Sequence, residues 1–153
     1  MNASVLFSSK KSDWNTPQDF FNELNAEFNF ELDAAATDKT TKCERYFTPE
    51  TDGLAQSWVV SEGRAVFCNP PYGHEIAKWV KKAYEEAQKG TTIVMLLPSR
   101  TDVSWFHDYI LGRAEVRFLR GRLKFTDDEG QAKNSAPFPS LVAIYRREMA
   151  TPS

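Results

Sequence analysis

Apolar residues recur along the chain with two spacings, which predict alternating helices and strands. Residues 20–28 carry Phe and Leu side chains at helical spacing and predict an amphipathic helix of about three turns. Thr16 and Pro17 precede this pattern, and they suit the capping and first positions of a helix. The helix is therefore expected to begin near Pro17.

The remaining pattern predicts further elements in a regular order. Strand patterns cover residues 28–32, 65–68 and 91–97, and helical spacing covers residues 74–89 and 102–111. Three more strand patterns follow without helices between them, at residues 115–119, 122–125 and 141–145. Residues 37–57 are polar and irregular, and we expect a long functional loop there with little regular structure.

This order of elements predicts an α/β fold with a mostly parallel sheet and antiparallel strands late in the chain. Residues 14–147 are expected to form one domain, with flexible ends at residues 1–13 and 148–153. In such sheets ligands bind at the carboxyl ends of the strands. Asp33 and Asn69 both follow predicted strands, so a shared cleft is expected.

The tetrapeptide Asn69, Pro70, Pro71 and Tyr72 directly follows the strand pattern at residues 65–68. Each proline fixes its own backbone and favours an extended residue before it. The Asn69 amide oxygen and the Pro70 carbonyl are then two neighbouring acceptors, which match the two hydrogens of a primary amine. Tyr72 could stack on a planar ring. The motif thus indicates methylation of a planar amino group, with nucleobase and amide substrates both open.

Composition narrows the class of protein. The chain has 153 residues, 41% of them hydrophobic, and no apolar stretch long enough to span a membrane, so we expect a soluble protein. Cys43 and Cys68 have no metal-ligand spacing and are expected to be reduced. Only two histidines are present, and a metal-free enzyme is expected.

The net charge of the chain is small, but the charged residues are unevenly distributed along the sequence. The formal net charge is −2, which does not indicate nucleic-acid binding. Five Arg and Lys residues nevertheless fall within residues 113–124. This cluster is either a solvated surface or a contact to phosphates.

Several ordered motifs together resemble the phage-type DNA adenine methyltransferases, the Dam-like family. The matching residues, which span most of the chain, are Trp14, Thr16 and Pro17; residues 32–35; Asp52, Gly53, Leu54 and Trp58; residues 69–73 and Trp79; Leu97, Pro98 and residues 105–107; Gly121, Arg122 and Phe125; and residues 137–140.

This resemblance implies a Rossmann-like methyltransferase fold that uses S-adenosyl-L-methionine. The catalytic residues would be Asn69, Pro70, Pro71 and Tyr72. The cofactor-binding residues would be Trp14, Thr16, Pro17, Asp33, Ala34, Ala35 and Asp52, and the substrate-side residues would be Arg122 and Phe138. Residues 33–36 contain no glycine, unlike the cofactor turn of larger relatives, and the short stretch before Asn69 implies a sheet cut back at one edge.

The resemblance also implies the reaction and the partner. The expected activity is methyl transfer to the exocyclic amine of adenine in double-stranded DNA, after the base is flipped out of the duplex. A phage or prophage protein of this kind would act in the cytoplasm of a bacterial host. The alternatives are an amino-group methyltransferase for RNA or protein glutamine, and a non-catalytic protein that binds DNA or the cofactor.

Overall fold

The computed structural model describes residues 14–146, so the expected flexible ends at residues 1–13 and 148–153 lie outside the described part. The helices are α1 (Gln18–Phe28), α2 (Ile76–Gln88) and α3 (Ser104–Tyr109), and a short 3-10 helix covers Gly53–Ala55. The strands are β1 (Phe30–Asp33), β2 (Arg45–Tyr46), β3 (Ala65–Cys68), β4 (Thr92–Pro98), β5 (Glu115–Phe118) and β6 (Ser140–Tyr145).

The six strands form one sheet in the order β2-β1-β3-β4-β6-β5. The pairs β1 with β2, β1 with β3 and β3 with β4 are parallel, whereas β6 is antiparallel to both β4 and β5. The predicted mixed α/β sheet, mostly parallel with antiparallel pairing late in the chain, is confirmed. The edge strand β2 has only two residues, in the stretch where little regular structure was expected.

The first helix forms where the pattern predicts it, but it begins differently. Phe21, Leu24 and Phe28 are buried along one face. Pro17 occupies the N-cap position and no side chain caps the helix, so the prediction that Thr16 caps it is wrong. The reason is a competing contact, because the Thr16 hydroxyl accepts a hydrogen bond from the side chain of Asn69.

The second helix buries more of its surface than its apolar pattern predicts. Trp79 and Glu86 are buried together with the apolar face. The Glu86 carboxylate accepts a hydrogen bond from the backbone N–H of Trp58 at 2.7 Å, and it pairs with Lys89 and Lys82. A buried carboxylate needs such partners, since burial without them would disfavour its charge.

The strand predicted at residues 122–125 is absent. Phe125 is fully buried, as an alternating pattern requires, but the backbone here folds back on residues 132–136 instead of joining the sheet. Lys133 N–H donates to the Phe125 carbonyl and Ala136 N–H donates to the Leu123 carbonyl. The residues from 122 to 139 therefore form an irregular segment beside the sheet, which we call the 122–139 segment.

Candidate active site

The Asn-Pro-Pro-Tyr motif lies at the carboxyl end of β3, near the centre of the sheet. β3 is paired on both sides by parallel strands, β1 and β4. Asp33, at the end of β1, lies opposite Phe67, two residues before Asn69. Asp33 and Asn69 therefore lie at the carboxyl ends of neighbouring parallel strands, and a cleft shared by their side chains stays a prediction.

The Asn69 side chain is buried and bound by the residues that precede α1. It is 1% exposed, and its amide nitrogen donates to the Trp14 carbonyl at 2.7 Å and to the Thr16 hydroxyl at 3.0 Å. The amide nitrogen therefore faces residues 14–16, and the amide oxygen is on the other branch of the group. Residues 14–16 and the motif, far apart in sequence, form one site.

The same three residues are also held by the 122–139 segment. Asn15 and Thr126 exchange backbone hydrogen bonds at 3.2 and 2.9 Å, and the Asn15 side chain donates to Asp128 at 3.0 Å. Residues 14–16 thus lie between the motif and the 122–139 segment, which packs two of its aromatic rings against this region.

Tyr72 lies inside a group of rings, which we call the aromatic cluster: Trp14, Tyr72, Phe125 and Phe138. The Tyr72 ring meets Phe138 and Phe125 edge-on at 5.7 and 6.3 Å between centroids, and Trp14 contacts both phenylalanines. The Tyr72 hydroxyl donates to the Leu96 carbonyl at 3.1 Å. Burial raises the pKa of Tyr72 well above 10, so the phenol stays neutral and cannot serve as a base near pH 7.

A cavity of about 710 Å³ opens beside the motif at the same edge of the sheet. Its lining comprises Ala35, Ala36 and Thr37; residues 47–49; Asp52, Gly53 and Leu54; Pro71, His74, Glu75 and Trp79; and Asp128. Among the predicted cofactor residues, Ala35 and Asp52 line this cavity, and Pro71 of the motif lines it as well. Trp14, Thr16, Pro17, Asp33 and Ala34 are not part of its lining.

Asp33 and Ala34 instead bond to residues around the cavity without lining it. The Asp33 carboxylate accepts a hydrogen bond from the Lys42 backbone N–H at 3.0 Å, and the Asp33 backbone carbonyl accepts one from the Phe47 N–H at 3.0 Å. Ala34 is completely buried and donates to the Phe67 carbonyl. Both residues therefore tie the end of β1 to the loop that follows it and to β3.

Gly53 has a role at this site that the sequence did not reveal. A Cβ on Gly53 would lie 2.4 Å from the Ala34 carbonyl oxygen and 3.1 Å from the Trp79 ring. Its carbonyl accepts a hydrogen bond from the Trp58 indole at 2.9 Å. The glycine that allows close approach to the end of β1 therefore comes from the loop, and not from residues 33–36.

The cavity includes other residues that sequence reasoning did not assign to the site. Phe47 and Pro49 gave only a weak signal in a polar stretch. Trp79 lies one turn after the start of α2 and is buried, although the apolar pattern of the helix did not include it. Asp52 was assigned, and its backbone is in the left-handed region with φ 55°, a conformation that is uncommon outside glycine and often found at functional sites.

The two predicted substrate-side residues have different surroundings. Phe138 is buried in the aromatic cluster, whereas Arg122 is exposed and its guanidinium donates to the Ala136 carbonyl at 3.3 Å. The basic residues near Arg122 in sequence also differ in their surroundings. Arg117 is paired with Glu27 and Glu115, while Arg120 and Lys124 are exposed.

Both cysteines are free thiols, and burial raises the pKa of Cys43 to about 12, so its thiolate is scarce at pH 7. Within residues 14–146 no group of His, Cys, Asp and Glu side chains is arranged to hold a metal ion. In the same range, every helix is too short or too polar to cross a bilayer.

Comparison with known proteins provides the family. A model of the DNA N-6-adenine-methyltransferase (Dam) family matches residues 3–153. The chain is also 32% identical over 150 residues to the DNA N-6-adenine-methyltransferase of Escherichia phage T1, in an alignment that covers 87% of this chain. It spans 62% of the length of that relative. By this match over nearly its whole length, the chain belongs to the DNA N-6-adenine-methyltransferase (Dam) family.

Proposed function

We propose that this protein transfers a methyl group from S-adenosyl-L-methionine to the exocyclic amine of adenine in double-stranded DNA. The observation that carries the proposal is the position of the Asn-Pro-Pro-Tyr motif, at the carboxyl end of a central parallel strand and with Pro71 in the wall of a large cavity. Membership of the Dam family supports the same reaction. We assign the fold accordingly to the Rossmann-like methyltransferases, cut back at the β2 edge.

The cavity fits the cofactor in size and chemistry. Its volume lies within the usual range for small-molecule sites. Apolar walls such as Phe47 and Trp79 suit a purine ring, and the carboxylates of Asp52 and Glu75 suit hydroxyl and amino groups. Bound there, the cofactor would supply an electrophilic methyl group on a sulfonium.

The residues of the chain that we assign to cofactor binding fall into two groups. Ala35 and Asp52 line the cavity and would contact the cofactor directly. Asp33 and Ala34 lie behind its wall, where they bond to Phe47 and Phe67. Trp14, Thr16 and Pro17, which the resemblance places near the cofactor, do not line the cavity, and Trp14 and Thr16 accept hydrogen bonds from the Asn69 side chain.

Asn69 and Pro70 would hold the target amine. The Asn69 oxygen and the Pro70 carbonyl accept its two hydrogens, which localises the nitrogen lone pair for attack on the methyl group. The amine is already neutral and loses its proton during or after methylation, so no strong general base is required before transfer. Asn69 and Pro70 would therefore contribute chiefly through positioning and local electrostatics. Pro71 and Tyr72 complete the motif, the first at the cavity and the second in the aromatic cluster.

The burial of Asn69 supports a reaction in which the base leaves the duplex. An amine inside stacked DNA cannot reach the oxygen of Asn69, a residue that is 1% exposed. A flipped adenine would enter among the rings of the aromatic cluster, where Tyr72 or Phe138 can stack on it. Because these rings fill the space in this structure, a ring of the cluster has to move when the base enters. DNA in a bacterial cytoplasm is the substrate we assign.

Incubation with labelled S-adenosyl-L-methionine tests the proposal directly. Duplex DNA, tRNA and a protein extract are offered separately, and nucleoside analysis follows. We expect label in N6-methyladenine from DNA, and none with Asn69→Ala, whose cofactor affinity should stay within a few fold of wild type. Label confined to RNA or to protein glutamine would replace the proposed substrate. Cofactor binding without any transfer would instead indicate a non-catalytic protein.

A further inference from the structure

The side-chain amide of Asn69 has an unambiguous orientation. The Trp14 carbonyl, 2.7 Å away, can only accept a hydrogen bond, so the group facing it must be the amide nitrogen. The second hydrogen of the same nitrogen reaches the Thr16 hydroxyl at 3.0 Å. Asn69, Thr16 and Asn15 are each 3% exposed or less, so water has little access to exchange for these bonds.

Rotating this amide by half a turn would be costly. The Asn69 oxygen would then meet the Trp14 carbonyl oxygen, two acceptors at hydrogen-bond distance, and the bond from the nitrogen to that carbonyl would be lost. The Thr16 hydroxyl can donate as well as accept, so it holds the amide in place while the Trp14 carbonyl sets its orientation. Buried polar groups that lose their partners are strongly disfavoured. The oxygen is therefore kept on the branch of the amide that points away from residues 14–16.

The two acceptors are supplied in different ways. The Trp14 carbonyl is backbone, and it is placed by the paired hydrogen bonds between Asn15 and Thr126. The Thr16 hydroxyl is a side chain, which a substitution can remove without disturbing that pairing. Thr16 was expected from the family resemblance near the cofactor, yet its hydroxyl is bonded to the motif.

We propose that Thr16 is a positioning residue for methyl transfer: with the Trp14 carbonyl it holds the Asn69 amide so that its oxygen faces the target amine. This inference rests on the proposed function. It has a second consequence, because a carboxylate at position 69 has no hydrogen to donate to the Trp14 carbonyl. Asparagine, and not aspartate, is required at position 69 of this chain.

A first experiment reads the amide itself, without any reaction. In a spectrum of the full chain labelled with ¹⁵N-asparagine, the NH₂ signal of Asn69 is the one missing from Asn69→Asp. We expect both of its hydrogens to exchange slowly with solvent in wild type, and at least about tenfold faster in Thr16→Val, which loses one of the two bonds. Rapid exchange in wild type would overturn the inference even if the protein methylates DNA.

A second experiment measures turnover with saturating cofactor and DNA. Thr16→Val should lower kcat about tenfold, the loss of one buried hydrogen bond, with the dissociation constant for S-adenosyl-L-methionine changed less than about threefold. Thr16→Ser, which keeps the hydroxyl, should return kcat to within about twofold of wild type. Thr91→Val removes another buried threonine hydroxyl, next to the start of β4, and should leave kcat unchanged.

The outcomes separate this inference from the function on which it depends. Wild type that methylates no adenine contradicts the proposed function, and the exchange measurement still decides the orientation of Asn69. Active wild type with unchanged kcat in Thr16→Val contradicts the positioning role. Weaker cofactor binding with normal kcat would assign Thr16 to the cofactor instead. Activity of Asn69→Asp within about tenfold of wild type would refute the requirement for asparagine.

Discussion

Gly53 lies so close to the carbonyl oxygen of Ala34 that a Cβ atom would come within 2.4 Å of it. This contact joins the loop after β1 to the end of that strand, and the Trp79 ring closes the other side at 3.1 Å. Since the neighbours are backbone and a buried indole, neither can move away cheaply. The wall of the cavity therefore depends on the absence of a side chain at position 53.

Gly53→Ala should deform the cavity. We expect it to lower the free energy of unfolding by about 1–3 kcal/mol, the usual cost of overpacking, and to weaken S-adenosyl-L-methionine binding at least about tenfold. Urea unfolding and calorimetric titration measure the two effects.

Gly63→Ala is the control, since its Cβ would meet open space although φ is +80°. It should lose stability through backbone strain and keep its cofactor affinity, and equal affinity losses in both variants would contradict this role of Gly53.

Tyr72 contributes a ring and a hydroxyl that can be separated by substitution. Tyr72→Phe removes the bond to the Leu96 carbonyl and should cost about 1 kcal/mol of stability while methyl transfer stays within a few fold. Tyr72→Ala also removes the ring, and if the ring stacks on the base the transition state of methyl transfer should lose about 1–3 kcal/mol of stabilisation. Single-turnover rates on a DNA duplex measure this. An unchanged rate in Tyr72→Ala would assign stacking to another ring, such as Phe138.

Arg122 is expected to contact a DNA phosphate. Arg122 is an exposed residue at the start of the 122–139 segment, so Arg122→Ala should weaken DNA binding and reduce the slope of log affinity against log salt by about 1. Arg122→Lys keeps the charge and should keep the slope. Fluorescence anisotropy at several salt concentrations gives both quantities.

Arg113→Ala provides a matched loss of charge on another part of the surface. Arg113 bonds to Tyr84, whose ring contacts Tyr145, and Tyr145 pairs with Ile93 at the beginning of β4, away from the carboxyl ends of the strands. This variant should leave the salt dependence unchanged. Equal slopes for Arg113→Ala and Arg122→Ala would mean that the effect comes from net charge alone.

Glu86 should make stability depend on pH. Burial by itself would raise its pKa, but hydrogen bonds from Lys89, the Trp58 N–H and Lys82 outweigh burial, and the pKa lies below its ordinary value of 4.5. A lowered pKa in the folded state stabilises the protein above pH 4.5, and that contribution disappears as the pH falls through the folded-state pKa.

Glu86→Gln tests this contribution. At pH 7 it should be less stable than wild type by about 1–3 kcal/mol, since the amide keeps an acceptor for Trp58 but loses the charge that the lysines pair with. The difference should shrink below pH 4.5 in urea unfolding. Glu85→Gln, an exposed neighbour on α2, should behave like wild type throughout. A difference that is constant from pH 7 to pH 3.5 would show that the charge of Glu86 is not responsible.

Local pattern was sufficient to predict much of the fold. The apolar faces of α1 and α2 follow from helical periodicity, because burial on one side of a helix repeats every three or four residues. The strands β3, β4 and β6 are buried at nearly every position and follow from continuous apolar runs. The position of Asp33 and Asn69 at the carboxyl ends of neighbouring strands followed from the parallel order of the strands. The false strand at residues 122–125 shows the limit, since a buried Phe125 in a folded-back loop leaves the same pattern.

The sequence by itself determined the family, and it predicted the chemistry of a motif that could hold an amine at the end of a buried strand. Only the tertiary structure decided the partners of that chemistry. Thr16 meets Asn69 across 53 positions of sequence, and Gly53 supplies the close approach to Ala34. A hydroxyl or a missing side chain carries no periodic signal, and its role depends on which distant part of the backbone the fold brings within bonding distance.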